Sequence, residues 1–398
     1  MKVLSSFTRV TWGLAILGTA ALSLTPGFAQ TDQSQGTMTI DGTDYIVSFK
    51  FDRPISFGPA QSAGGSGAIG PVADANASGG LQFYTANYTS FGRSYPFNIV
   101  GTDPSLGANV TTIPTVIVPI RLTFTGTGKV LDGTNQVSAT QNSPLFLTAD
   151  YTTGATDIGV TQYGDAIQRG EFWNLPGFSQ AGYHVLLGTP TIAPTVAATV
   201  SAANGTTDST GFVGVVRGSF FDALLNSLVP TYGPNVLPIF VTDNVFESGN
   251  GTFSGCCILG YHASEGPPIL TAHTWIYAAY TRSGTFRGDA ILDVQALSHE
   301  VSEWMNDPFV GTPLLGGINL IPPAKLPGQG SACIINFETG DPLEAPPVVF
   351  TKVTNATTYH LQDEVFLSWY MHGPSFGVNG FYTYLGTFPT FSSLCGPG

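Results

Sequence analysis

The apolar residues Ala290, Val294, Leu297, Val301 and Trp304 recur at spacings of four, three, four and three. At 100° per residue they form one narrow stripe, which predicts a helix over 288–307 whose apolar side must be buried against another element. Pro308 ends it, since proline has no N–H to continue the ladder. The same helix carries 297-LSHEVSEWMNDP-308. On the helical wheel His299 and Glu303 fall together opposite the stripe, with Glu300 between that side and the stripe. The polar side is either an ordinary solvated face or the business side of a metal-binding helix.

The rest of the chain supplies context. Lys2 and Arg9, an apolar run from Trp12 to Leu24 and the small-residue site Gly27-Phe28-Ala29 read as a secretory leader over 1–29. After it no run approaches the roughly 20 apolar residues of a membrane span. The apolar stretches are strand-length and broken by Gly, Pro and Thr. Charged residues are only 10% of the chain, with 49 Gly and 28 Pro, a composition of loop-rich, strand-rich extracellular proteins. The formal charge is −13, and losing Lys2 and Arg9 makes it more negative, which excludes nucleic acid and anionic membranes as partners. A chain of 398 residues, less its leader, is long enough for two domains or one large elaborated one.

Character changes near residue 160. Residues 30–160 are rich in Gly, Ser and Thr, and stretches such as 115-TVIVPIRLTFTG-126 read as strands. Pro59 to Gly80 reads as a Gly-Ser-Ala linker. Helical patterns dominate 161–398, at 163–174, 218–228, 288–307 and 360–371, with strands at 237–244 and 273–281 between them. The fold class that follows is α+β, a β-rich amino-terminal region followed by a mixed α/β domain that holds the 299–303 motif.

Cys256, Cys257, Cys333 and Cys395 are an even set in an exported chain and read as two disulfides. Adjacent cysteines bond each other with strain, so Cys256 and Cys257 are expected to pair separately with Cys333 and Cys395, in either order.

A His and a carboxylate at i and i+4 on one helical face can share a metal ion, and a Glu directly after the His can take a proton from water. That is the logic of the His-Glu-x-x-His zinc helix, with Glu303 standing where the second imidazole would be. A third ligand is expected from the loop 336-NFETGDPLE-344, which offers Glu338, Asp341 and Glu344 beside good turn chemistry. Asp363 and Glu364 are the rivals. His262 in its Gly-Tyr-His segment either lines the site or is hydrogen-bonded structure. His184, His273, His360 and His372 read as ordinary surface or core histidines, and Asp165 with Arg169 as a surface ion pair. No Gly-x-Ser-x-Gly elbow is present.

The segments 257-CILGYH-262, 273-HTWIYAAYT-281, 294-VQALSHEVSEWMNDP-308 and 337-FETGDP-342 together resemble the secreted, phosphate-induced Exordium-like proteins of plants and their microbial relatives. The likeness covers about 90 residues. It implies a zincin-like, metallopeptidase-like domain and carries His299, Glu300, Glu303, Glu338 and Asp341 over as site residues. Pro342 and Leu343 stand where the family has a cysteine after its Asp, so the disulfide pattern can differ.

The expectation is therefore a secreted zinc-dependent peptidase-like hydrolase acting on a protein or peptide. His299, Glu303 and Asp341 or Glu338 would hold Zn²⁺, Glu300 would be the base, and strand 273–281 would lie along the cleft and pair with an extended substrate. The competing expectation is a secreted protein that binds a cell-surface or matrix component, with a structural metal or none.

Overall fold

The computed structural model describes residues 35–49, 79–153, 156–266, 271–310, 320–328, 333–345, 347–393 and 395. The leader 1–29 and residues 59–78 of the Gly-Ser-Ala stretch lie outside them. In chain order, the elements that frame the site are β1 (Phe83–Ser90), β2 (Arg93–Val100), β3 (Thr115–Phe124), α1 (Tyr163–Phe172), α2 (Gly218–Leu228), β4 (Leu237–Asp243), β5 (Gly260–Glu265), β6 (His273–Tyr280), α3 (Gln295–Asn306), β7 (Val349–Thr354), β8 (Thr357–Gln362) and α4 (Leu367–Tyr370).

The principal sheet runs in the order Thr191–Ile192, β3, β4, β6, β5. Strands Val196–Val200 and Lys129–Asp132 also pair with β3. β3, β4 and β6 are mutually parallel, with Ile239 opposite Ile117 on one side and Ile276 on the other, and β5 closes the sheet antiparallel to β6. Their sequences, TVIVPIRLTF, LPIFVTD and HTWIYAAY, are the near-continuous apolar runs of strands covered on both faces, and most of their residues are buried. The fold is α+β. Its sheet ignores the change of composition near residue 160: β3 lies before that point, while β4, β5 and β6 lie after it.

α3 crosses this sheet on β6. Leu297, Val301 and Trp304 of the predicted stripe are buried, and the Trp304 indole N–H donates to Thr274 Oγ1 of β6 at 3.0 Å. The helix is shorter than its periodicity suggests. Gly288, Asp289 and Asp293 have φ of 71°, 50° and 38°, so the chain turns instead of coiling before Gln295, and Ala290 is exposed. The Asp293 carboxylate accepts from the Val294 N–H at 2.6 Å, a local bond that competes with helix extension.

The predicted helix over 360–371 is corrected more substantially. Residues 357-TTYHLQ-362 pair antiparallel with β7 through a two-residue turn in which Asn355 and Ala356 both have positive φ, the geometry that matches hairpin twist. Only Leu367–Tyr370 is helical. Thr357 and Thr358 favour the strand, and the partner that decides it is supplied by the hairpin.

The expected disulfides are also corrected: Cys256 bonds Cys257, and Cys333 bonds Cys395. The reason is local tethering. Lys325 N donates to Ser393 O and Cys395 N to Pro323 O, so the carboxy-terminal segment runs beside strand Leu320–Lys325, whose antiparallel partner begins at Cys333. Cys333 and Cys395 are thereby held with Cα atoms 6.2 Å apart, while Cys256 and Cys257 sit buried on a separate short strand. Among the described residues no helix is long and apolar enough to cross a membrane.

Candidate metal centre

Every residue of α3 is buried, so the solvated-face reading fails. The side opposite β6 is covered by other elements. α1 approaches so closely at Gly164 that a side chain there would collide with Met305, and Ser298 Oγ accepts the backbone N–H of Gln362 at 3.0 Å at the end of β8. His299, Glu300 and Glu303 consequently have no exposed surface. Burying carboxylates costs several kcal/mol each unless charge or hydrogen bonds compensate.

What faces them is mainly imidazole. His299 Nε2 lies 3.0 Å from Glu303 Oε2. His262, in the middle of β5, places Nδ1 3.3 Å from Glu300 Oε2 and 3.8 Å from Glu303 Oε2, while its Nε2 is 3.8 Å from Glu338 Oε2. Two sets of three ligand atoms lie within 4.8 Å of one another: His299 with Glu300 and Glu303, and His262 with Glu303 and Glu338. Glu303 belongs to both.

The tautomer of His262 follows from its other nitrogen. Nε2 sits 3.1 Å from the Asp307 carbonyl oxygen, which can only accept, so Nε2 carries the proton. Nδ1 of a neutral ring then turns a lone pair toward two carboxylate oxygens. The ring is neutral because burial, the largest cause, lowers its pKa to about 4, with His299 adding to the effect and Glu303 opposing it. Acceptor facing acceptor is repulsive unless a cation or a proton lies between. Four-coordinate zinc with bonds near 2.0–2.1 Å spaces its ligand atoms about 3.3 Å apart, and separations of 3.0, 3.3 and 3.8 Å bracket that value. Each of the two buried sets, one imidazole with two carboxylates and Glu303 in common, could hold a metal ion.

The backbone aims these groups. Gly340 N–H donates to Glu303 Oε1 at 2.8 Å, leaving Oε2 toward the histidines, and a Cβ on Gly340 would strike the His299 ring. Gly260 similarly leaves no room for a side chain against Glu300 and the Tyr277 carbonyl. Burial raises the Glu303 carboxyl, but His299, His262 and the Gly340 N–H outweigh it and hold the group below its ordinary value.

The expected downstream acids separate. Glu338 is buried and reaches His262, and its backbone carbonyl accepts from the Tyr370 hydroxyl. Asp341, which opens a short 3-10 turn, is part of neither three-residue set, and nor is the buried Glu344. Glu364 is buried behind the site, accepts from Tyr163 Oη at 3.1 Å, and is pushed well above its usual pKa, by burial first and then by Glu303. Asp363 instead ties a turn, accepting from the N–H groups of Glu364 and Leu385 and from Thr387 Oγ1.

Two expectations are overturned. β6 cannot pair with an extended substrate, because β4 and β5 occupy both of its edges. Asp165 and Arg169 are not a surface pair: both are buried, and Asp165 also accepts from Thr161 Oγ1 at 2.5 Å and Val185 N at 2.7 Å and faces His184 Nδ1 at 2.9 Å. His360 is held by Asp293 at 2.6 Å and His372 by Ser392 at 2.8 Å, as ordinary histidines are. His262, whose sequence left open whether it lines the site or is hydrogen-bonded structure, faces Glu300 and Glu303 because its strand lies beside β6. No protein-family model, no curated protein and no solved structure matches this chain.

Proposed function

We propose that the chain is a secreted, zinc-dependent, peptidase-like hydrolase whose metal is held at Glu303, the carboxylate common to the His299 set and to the set of His262 and Glu338. The observation that carries the reading is the neutral His262 ring, whose Nδ1 lone pair faces Glu300 and Glu303 because its Nε2–H is committed to Asp307. Asp341, expected from the sequence as a ligand, is left out of both sets.

Zinc would supply Lewis acidity toward a water and a peptide carbonyl. The protein's own part is orientation and proton handling. The Asp307 carbonyl fixes the His262 tautomer and the Gly340 N–H turns Glu303, the supporting contacts that metal-binding side chains need. Glu300, next to the ligand His299 on the same helix, has Oε2 beside the cluster and is the group to receive a proton from water and pass it to a leaving amine. The two disulfides agree with export to an oxidising compartment.

One observation favours a second reading, a structural metal in a secreted protein that binds a cell-surface or matrix component. The cluster is enclosed, and β6 offers no edge for a substrate strand.

Metal analysis of the purified protein, followed by hydrolysis of an unstructured protein substrate, tests both. The wild type should hold about one zinc. His299→Ala should lose it, and Glu300→Gln should keep it while hydrolysis falls by a factor on the order of 10². Equal hydrolysis by zinc-loaded wild type and Glu300→Gln removes Glu300 from the mechanism and leaves the structural reading. Absence of metal from protein prepared without chelator sinks both readings.

A further inference from the structure

A second buried carboxyl lies away from the metal cluster, and its surroundings are of a different kind. Where the carboxy-terminal end of α1 meets the β1–β2 hairpin and α4, the fold forms a half-open pocket of about 250 Å³. Its walls are aromatic and apolar, chiefly Tyr84, Tyr88, Phe97, Phe172, Met371 and Phe376. Glu171, the penultimate residue of α1, also lines it and is only 2% exposed. Its Oε1 accepts the Leu367 N–H at 2.6 Å, which anchors the carboxyl to α4. Its Oε2 is buried and has no hydrogen-bond partner. Tyr88 also lines the cavity, and its hydroxyl is likewise buried and unpartnered. Leaving such atoms unmatched is unfavourable, and more so for a charged group.

The chemistry of the walls selects what could match them. Among the described residues lining the cavity, the carboxyls are Asp103 and Glu171, and no Lys, Arg or His is present. Asp103 is already engaged by Ser105, through its N–H at 2.8 Å and Oγ at 2.7 Å, and by Tyr84. Glu171 is thus the carboxyl with spare capacity. Aromatic faces present negative potential and attract cations, most strongly where water is excluded. We propose that this cavity is a binding site for a small ligand that joins an ammonium head to an aromatic or aliphatic body, the head meeting Glu171 Oε2 and Tyr88 Oη and the body filling the aromatic walls. A volume near 250 Å³ holds a body of about one ring, at the small end of ligand pockets.

Burial pushes the Glu171 carboxyl up to about 8, so near neutral pH the empty cavity holds it uncharged. An arriving ammonium group favours the carboxylate, and the carboxyl proton passes to the buffer. The other titratable groups facing the cavity are Asp103, Tyr84 and Tyr88. Burial raises both phenols, Tyr84 to about 12, so neither ionises in this range.

Titration calorimetry of the full-length protein with 2-phenylethylamine and with its uncharged analogue 2-phenylethanol tests the proposal. The amine should bind saturably, one per chain, at least tenfold more tightly than the alcohol. At pH 7, buffers of different ionisation enthalpy should reveal proton release with the amine only. Glu171→Gln keeps the acceptor for Leu367 N–H and should weaken the amine at least tenfold without affecting the alcohol. Ala86→Trp, which fills the cavity from β1, should abolish both. No saturable binding of the amine, or alcohol binding as tight as amine binding, overturns the proposal without any variant. Unchanged amine affinity in a Glu171→Gln protein with the wild-type unfolding transition overturns it as well.

Discussion

α1 and α3 each carry an acidic and a basic side chain at i and i+4, Asp165 with Arg169 and Glu303 with His299, and both pairs are buried. In α1 both oxygens of the Asp165 carboxylate are matched, although Arg169 Nε has no hydrogen-bond partner among the described residues. Asp165 takes a hydroxyl, a backbone N–H, an imidazole and a guanidinium, and Arg169 donates onward to the Gln180 carbonyl. In α3 the acceptors are set against one another, with a neutral His262 lone pair beside Glu300 and Glu303. Burial of ionisable residues therefore does not by itself mark a functional centre. The complementarity of donors and acceptors around Asp165 separates it from a cluster that could hold a metal ion.

The largest effect that would test this contrast is Asp165→Ala. It strands Arg169 in the interior and should destabilise the protein by about 3–5 kcal/mol in urea unfolding. The loss should be the same with and without chelator, because neither Asp165 nor Arg169 belongs to a set that could hold a metal. A chelator-dependent loss would mean that the two networks are not independent. Chelation of the wild type should itself destabilise, by about 2.7 kcal/mol if free zinc was present at a hundred times its dissociation constant.

Gly340→Ala comes next. The added methyl collides with the fully buried His299 ring, so a loss of about 1–3 kcal/mol is expected. Zinc stoichiometry, measured on the same samples, should fall too. A variant that keeps both stability and metal would show that His299 is not positioned by this loop.

Glu171 extends the comparison within α1, being six residues beyond the fully matched Asp165 but only half matched. Its folded pKa is raised, to about 8, above the ordinary 4.5 of the unfolded chain. The native state then holds a proton that the unfolded state has released between those values, so stability is greatest below about pH 4.5 and declines as pH rises toward 8. The steepest slope for one such group is about 1.4 kcal/mol per pH unit. Glu171→Gln should flatten the decline measured by urea unfolding between pH 5 and 8, leaving the shares of Asp363, whose carboxyl burial raises to about 7, and of Glu364, which burial also raises. An unchanged slope would place the effect elsewhere.

The apolar stripe of α3, the strand-length runs of β3, β4 and β6 and the pairing of His299 with Glu303 on one side of a helix were all set by spacing along the chain. Periodicity of 3.6 or 2 residues fixes which side chains share a face before anything else is known. Glu300 beside its neighbour His299 and Glu338 in a Gly-rich loop were legible for the same reason. What the spacing left open was everything that depends on a partner distant in sequence. His262 reaches the cluster only because β5 pairs antiparallel with β6, under α3, and Asp341 falls outside it although it is three residues from Glu338. The hairpin of β7 and β8, the disulfide between Cys333 and Cys395 and the burial of Asp165 were likewise decided by long-range pairing. Local propensity is worth tenths of a kcal/mol per residue, whereas burial and pairing in a packed core are worth kilocalories, so tertiary contacts prevailed wherever the two disagreed.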